Sequence, residues 1–239
     1  MDNRIGHHIS KQFNEELEDV RSRVLAMGGL VEQQLESAIS ALTSGDASLA
    51  EEVRSADYKV NAYEVDIDEE CIQILARRQP AASDLRLIIA IIKTITDLER
   101  IGDEASRVAR MATKLIEDGS TKIPKSALEH LGGHVITMLH DSLDAFARMD
   151  AEAAYRVWRE DTKVDDEYEA ILRQLMTFMM EDPRTIPLIL EVTWAARALE
   201  RVGDRASNIC EYVIYLVKGK DVRHTTAEQM KIEVMGDRS

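Results

Sequence analysis

Little in this chain of 239 residues can crosslink, kink or stack, since it has only two Cys, four Pro, three Phe and two Trp. Cys71 and Cys210 cannot build a disulfide scaffold. With no Cys or His at ligand spacing, they also do not suggest a zinc finger or an iron–sulfur site. They read as core residues of a protein in a reducing compartment. Long apolar runs are equally scarce. The longest, Leu87 to Ile92, stops at Lys93, far short of the roughly 20 residues that span a bilayer. The stretch Met1 to His8 lacks the apolar segment of a secretory signal. The expectation is a soluble, cytoplasmic protein without membrane insertion. Positive charge is the third scarcity: 30 Lys and Arg against 44 Asp and Glu leave a net charge of −14. With no basic stripe to offset that excess, nucleic acid is not an expected partner, because its affinity comes from Lys and Arg neutralising phosphates.

Catalytic signatures are absent as well. There is no Gly-x-x-x-x-Gly-Lys-Ser/Thr loop, no Gly-x-Ser-x-Gly and no His-Glu-x-x-His. No His follows a Glu at the Glu-x-x-His spacing of di-iron helical enzymes. The residue set describes a carboxylate-rich binding protein better than an enzyme.

What is present is helical. Ala, Leu, Glu and Arg abound, and they lose little side-chain freedom in a helix. From Ile9 through Val24, Val31 and Leu35 to Leu42, apolar residues recur at three- and four-residue steps, the stripe of one long amphipathic helix. Gly45-Asp46 breaks it. A second helix runs to Arg78-Gln79-Pro80, and a third starts with Ser83 as its expected N-cap and is closed by Gly119. The segment Asp118 to Pro124 is the most loop-like in the chain.

Beyond it the pattern starts again. Met27-Gly28-Gly29-Leu30-Val31 aligns with Leu131-Gly132-Gly133-His134-Val135 at an offset of 104 residues, as does Asp57-x-Lys59-Val60 with Asp161-x-Lys163-Val164. Leu98-Glu99-Arg100-Ile101-Gly102-Asp103 matches Leu199-Glu200-Arg201-Val202-Gly203-Asp204 at an offset of 101. The predicted fold is therefore all-α: two tandem antiparallel three-helix bundles related by internal duplication, spanning residues 1–119 and 120–239. The second ends in a polar tail after Val222 that reads as flexible.

The duplicated Glu-Arg-(Ile/Val)-Gly-Asp carries the chemistry. Glu99 and Asp103, like Glu200 and Asp204, lie four apart on one helix face, where like charges repel. Glu99 continues the stripe Ile88, Ile92, Ile95 that faces the core, and an unpaired buried carboxylate costs several kcal/mol. Asp57 stands 23 residues before Pro80 and Asp103 stands 23 after it, so an antiparallel pair places them at one height. Asp161 and Asp204 flank Pro183 in the same way. Asn61 and Asp165, one turn on, fall level with Glu99 and Glu200. Each bundle thus gathers four oxygen-bearing side chains, enough for Mg2+, Ca2+, Mn2+ or iron. The same carboxylates can instead pair with Arg100, Arg201, Lys59 or Lys163, with Asp103 and Asp204 as solvated surface groups. Gly102 and Gly203 signal close packing. His134 and His140 read as solvated or hydrogen-bonded, although His140 counts to the height of Asp161. Asn208 stands where the first half has Arg107, so the two sites differ. Trp194, Met176, Met179 and Met180 read as packing.

With these features in view, the chain resembles the PhoU family of phosphate-uptake regulators from about His8 to His224. The phrases Gln12-Phe13-Asn14-x-Glu16-Leu17, Arg78-Gln79-Pro80-x-x-Ser83-Asp84-Leu85-Arg86 and Met138-Leu139-His140-Asp141, with the two Glu-Arg-(Ile/Val)-Gly-Asp segments, carry the resemblance. It implies a cytoplasmic negative regulator that couples the phosphate ABC transporter, through its ATPase PstB, to the sensor kinase PhoR. It also implies iron, zinc or magnesium ions on the Glu-x-x-x-Asp pairs, and a homodimer or higher oligomer. The rival readings are a carboxylate-bridged metalloenzyme of a helical bundle and a metal-free helical scaffold.

Overall fold

In a computed structural model that describes residues 3–78, 80–118 and 124–236, turn chemistry divides the chain where the sequence suggests. Helix α1 (Asn3–Ser44) is followed by α2 (Ala47–Arg77) and α3 (Ala82–Glu117). The second half has α4 (Lys125–Arg148), α5 (Ala151–Trp158), α6 (Asp161–Glu181), a 3-10 turn (Pro183–Thr185) and α7 (Ile186–Lys218), then α8 (Ala227–Met235). Gly119 and most of the expected loop between the halves lie outside the described residues.

The first turn of each half repeats in detail. Asp46 caps α2 by accepting from the backbone N–H groups of Ser48 and Leu49, and Asp150 caps α5 through Glu152 and Ala153. The residue before each cap is left-handed, Gly45 at φ +80° and Met149 at φ 52°. Two local expectations are corrected. Helix α3 is preceded by Ala81 without a side-chain cap, and Ser83 lies inside its first turn. The C-terminal segment is not a loose tail: a Thr226–Gln229 capping box starts α8, which buries Met230 and Val234. One element differs between the halves, since the counterpart of continuous α2 is interrupted at Arg159–Glu160 into α5 and α6.

A single apolar core runs through both halves, from Val20 and Leu35 of α1 and Leu98 of α3 to Leu131 of α4 and Leu199 of α7. Cys71 and Cys210 are buried free thiols within it, both pushed well above the ordinary thiol range, first by burial. The halves meet along α1 with α4 and along α3 with α7, the most extensively packed helix pair. At the first crossing a Cβ added to Gly28 would come within 2.6 Å of Leu143 Cδ1, and one on Gly132 within 2.8 Å of Ile39 Cδ1. Since Gly28 and Ile39 are the repeat counterparts of Gly132 and Leu143, the contact is reciprocal, as an internal two-fold requires.

The α3–α7 seam is polar at its centre. Asp97, only 2% exposed, accepts a 2.7 Å hydrogen bond from Tyr212 Oη and longer contacts from Arg205 Nη1 (3.4 Å) and Asn208 Nδ2 (3.5 Å). Glu104, 7% exposed, accepts from Arg107 at 2.8 and 2.9 Å and from Arg201 at 3.3 Å. Divergence of the repeats makes this possible, because the counterparts of Asp97 and Glu104 are Ala198 and Arg205. Identical residues would have set like charges against each other. Among the described residues no helix is long and apolar enough to cross a membrane.

Candidate functional site

The pairing of α2 with α3, and of α6 with α7, sets Asp57 within electrostatic reach of Asp103 and Asp161 within reach of Asp204. In the first half Asp57 is half-buried and accepts a 2.8 Å hydrogen bond from Ser106 Oγ. Glu99 is half-buried and Asp103 is exposed. Burial, then the charges of Asp103, Glu64 and Asp57, push Glu99 above the usual carboxylate range. Burial and Asp57 do the same to Asp103, against the opposing pull of Arg107. Asn61 is exposed on α2 and makes no hydrogen bond to the described residues. The charge of Glu64, also on α2, acts on Glu99. Glu64 was missed, although it lies two turns beyond Asp57 on the same helix face.

The second layer is drier. Glu200 is 7% exposed, Asp161 is half-buried, and Asp165 and Asp204 are exposed. Burial, reinforced by Asp204 and Asp165, pushes the Asp161 carboxyl up to about 7. Glu200 and Asp204 are also raised, each first by burial and then by acidic neighbours. Gly203 permits this closeness: a Cβ there would meet Val164 Cγ1 at 3.1 Å and Asp161 Oδ1 at 3.4 Å. At Gly102 the nearest atom, Val60 Cγ1, is 3.4 Å away, an ordinary contact.

Arg100 and Arg201 act on Glu99 and Glu200 through their charge, but among the described residues the short contacts of the offered cations go elsewhere. Arg100 approaches Asp97, Arg201 approaches Glu104, and Lys163 binds Glu160 at 2.6 Å. Arg197 hydrogen-bonds the second layer, its Nη1 donating to Glu200 Oε1 at 2.8 Å, while Arg201 and Arg205 act on Asp204 through their charge. Its repeat counterpart is Thr96, so the first layer has no equivalent of this hydrogen bond. Asn208, the other sign of asymmetry, belongs to the α3–α7 seam. His140 meets Glu32 of α1 at 3.2 Å, away from Asp161. Trp194, Met176 and Met180 are 57%, 54% and 83% exposed, a correction to their reading as packing.

Both layers fit a hard cation in donor chemistry. The donors are carboxylate oxygens whose mutual repulsion is relieved by positive charge, and Glu200 Oε2 is buried without a hydrogen-bond partner. As placed, no three His, Cys, Asp or Glu side chains among the described residues converge into a formed coordination shell.

The raised carboxyls have a measurable consequence. They titrate higher folded than unfolded, so the native state binds more protons, and stability falls as pH rises from about 4 through the Asp161 value near 7. For Asp161 this amounts to about 2 kcal/mol once solvent screening is allowed for, or roughly 4–8 °C in Tm for a chain of this size. Thermal melts in EDTA at pH 5 and pH 8 should show that loss, and Asp161→Asn should reduce it. An equal loss in the variant would locate the effect elsewhere.

Comparison with known proteins adds the following. The family model described as the PhoU domain matches residues 24–112 and 128–213, one copy in each half. The chain is 57% identical over 232 residues to a phosphate-specific transport system accessory protein PhoU homolog of Pseudomonas aeruginosa, covering 97% of this chain and 96% of that one. It is 54% identical to the phosphate-specific transport system accessory protein PhoU of Escherichia coli K12, covering 95% and 93%. The crystal structure of PhoU from P. aeruginosa superposes with a TM-score of 0.85 at 57% identity, over 87% of this chain and 100% of that one. That of the phosphate transport system regulatory protein PhoU from Streptococcus pneumoniae gives 0.81 at 31% identity, over 88% and 99%.

Proposed function

The chain belongs to the PhoU family, and from that premise we propose that it is a cytoplasmic accessory protein of phosphate transport, not an enzyme, that restrains phosphate-starvation signalling when phosphate is plentiful. Near-full-length identity to relatives named as phosphate-transport accessory proteins carries the reading. In this role it is an adaptor between the transporter ATPase PstB and the sensor kinase PhoR, and it works as a homodimer or higher oligomer.

The two acidic layers are the metal sites of the proposal: Asp57, Glu64, Glu99 and Asp103 in one, and Asp161, Asp165, Glu200 and Asp204 in the other. Asn61 stands at the edge of the first. A bound cation supplies positive charge that joins α2 to α3 and α6 to α7, offsetting the repulsion that raises these carboxyls. The ion is iron, zinc or magnesium. Arg197 competes for Glu200, which favours weaker or more displaceable binding in the second layer.

The test is genetic. Deleting the gene should leave a phosphate-starvation reporter on at high phosphate, and the wild-type gene should switch it off. Repression that persists in the deletion strain would sink the proposal. Elemental analysis of tag-free protein addresses the metal separately: stoichiometric metal should be present in wild type, and its content should fall by the equivalents held in the two layers in a variant carrying Glu99→Gln, Asp103→Asn, Glu200→Gln and Asp204→Asn.

A further inference from the structure

The groove between the first two helices of each half carries different chemistry in the two copies. In the first half Ala26, Leu30 and Tyr63 line it, with Leu30 and Tyr63 packed on the core. At the 104-residue offset these positions become His130, His134 and Glu167, and Ala56 becomes Glu160. Four uncharged positions, three of them small or aliphatic, all correspond to residue types that ligate metals. Two of them, His130 and Glu167, line the equivalent groove between α4 and α6.

The geometry joins them. His130 and His134 are four apart on α4 and so share a face, the spacing at which two histidines of one helix chelate zinc. Glu167 reaches both from α6: its Oε2 lies 3.0 Å from His130 Nδ1 and its Oε1 lies 2.9 Å from His134 Nδ1. On its other side, His134 Nε2 is 3.6 Å from Glu160 Oε2. Tetrahedral ligands bound at about 2.0–2.1 Å stand roughly 3.3 Å from one another, so these atoms are already near coordination spacing. As placed they engage each other in pairs and do not surround one point, consistent with the lack of a formed shell among the described residues. The His130 side chain is 74% exposed, so it has room to turn toward a shared ion. Lys163 holds Glu160 at 2.6 Å, leaving the fourth position to water or to a released Glu160.

We propose that His130, His134 and Glu167 form a site for a borderline divalent transition-metal ion of the zinc class. The site is distinct from the carboxylate layers in ligand type: imidazole nitrogen selects zinc, cobalt or nickel over magnesium and calcium. The first half, with Ala26, Leu30 and Tyr63, cannot form it.

Zinc titration calorimetry on chelator-treated, tag-free, full-length protein tests this with two variants. One replaces the three ligands by their first-half counterparts (His130→Ala, His134→Leu, Glu167→Tyr). The other removes the second carboxylate layer (Asp161→Asn, Glu200→Gln, Asp204→Asn). The first should lose one zinc equivalent that the second retains. Bound Co2+ should show the intense visible absorption of a four-coordinate nitrogen-bearing site in wild type and not in the first variant. Circular dichroism checks folding, and if the triple replacement does not fold, Glu167→Gln alone should weaken zinc by at least about 10-fold, the smallest loss typical even of a residue that only supports a ligand. Zinc binding unchanged by the ligand replacements, or lost only with the carboxylate layer, overturns the proposal.

Discussion

Asp97→Ala should destabilise the protein by about 3 kcal/mol, a fall of roughly 6–12 °C in Tm, the largest effect expected of any acidic residue in the chain. The carboxylate is 2% exposed and is held between two helices that the sequence separates by a whole repeat. Removing it leaves the Tyr212 hydroxyl without its 2.7 Å acceptor and takes away the acceptor that Arg205 and Asn208 share. Losing one member of a buried charged network costs more than the network contributes, because desolvation of the remaining groups is no longer offset. Asp97→Asn keeps an acceptor for Tyr212 and should cost less than the Ala variant. Tyr212→Phe leaves the carboxylate with its arginine and should cost about 1 kcal/mol. Chemical denaturation of the three variants checks the order. If Asp97→Ala stays within about 0.5 kcal/mol of wild type, as surface substitutions do, the seam does not depend on this network.

Gly132→Val should cost about 3 kcal/mol, while Gly133→Ala, one residue on, should stabilise by up to about 1 kcal/mol. The opposite signs come from opposite surroundings. A Cβ at Gly132 would lie 2.8, 2.9 and 3.1 Å from three Ile39 side-chain carbons, whereas one at Gly133 meets nothing within 4 Å. Gly133 is therefore only a weak point in the helix, where alanine restricts the unfolded chain and favours the helical state. The reciprocal contact of Gly28 with Leu143 involves the mobile end of a leucine, so Gly28→Ala should be the milder change. Adding Ile39→Ala to Gly132→Val should recover part of the loss by making room. A double variant no more stable than the single would mean that α1 and α4 do not cross at this glycine.

Much of the architecture was open to reading because it is encoded locally. The break at Gly45-Asp46 and the apolar stripes of α1 and α3 depend on residues within a few turns of one another. The duplication was legible because Gly28-Gly29 and Gly132-Gly133, and the two Glu-Arg-(Ile/Val)-Gly-Asp segments, kept their register. Counting along a hairpin placed Asp57 beside Asp103 and Asp161 beside Asp204, since antiparallel helices rise equally in opposite directions. What escaped was mostly exposure. Trp194 and Met180 were read as interior because they are apolar, yet residue type constrains burial only one way. The α8 helix escaped because its buried face consists of only Met230 and Val234, too few for a period to show.

The sequence by itself determined that this protein is helical, that it is one unit written twice, and that each copy carries a Glu-x-x-x-Asp pair. Only the tertiary structure decided which of its many carboxylates are sheltered and by what. Asp97 and Asp103 are six residues apart on the same helix, yet one is buried and the other exposed. The residues that hydrogen-bond Asp97 lie 108 to 115 positions away on α7. Helical periodicity is a property of neighbours along the chain, whereas desolvation is a property of whatever packs against it. In this protein that packing is supplied by the other copy of the repeat.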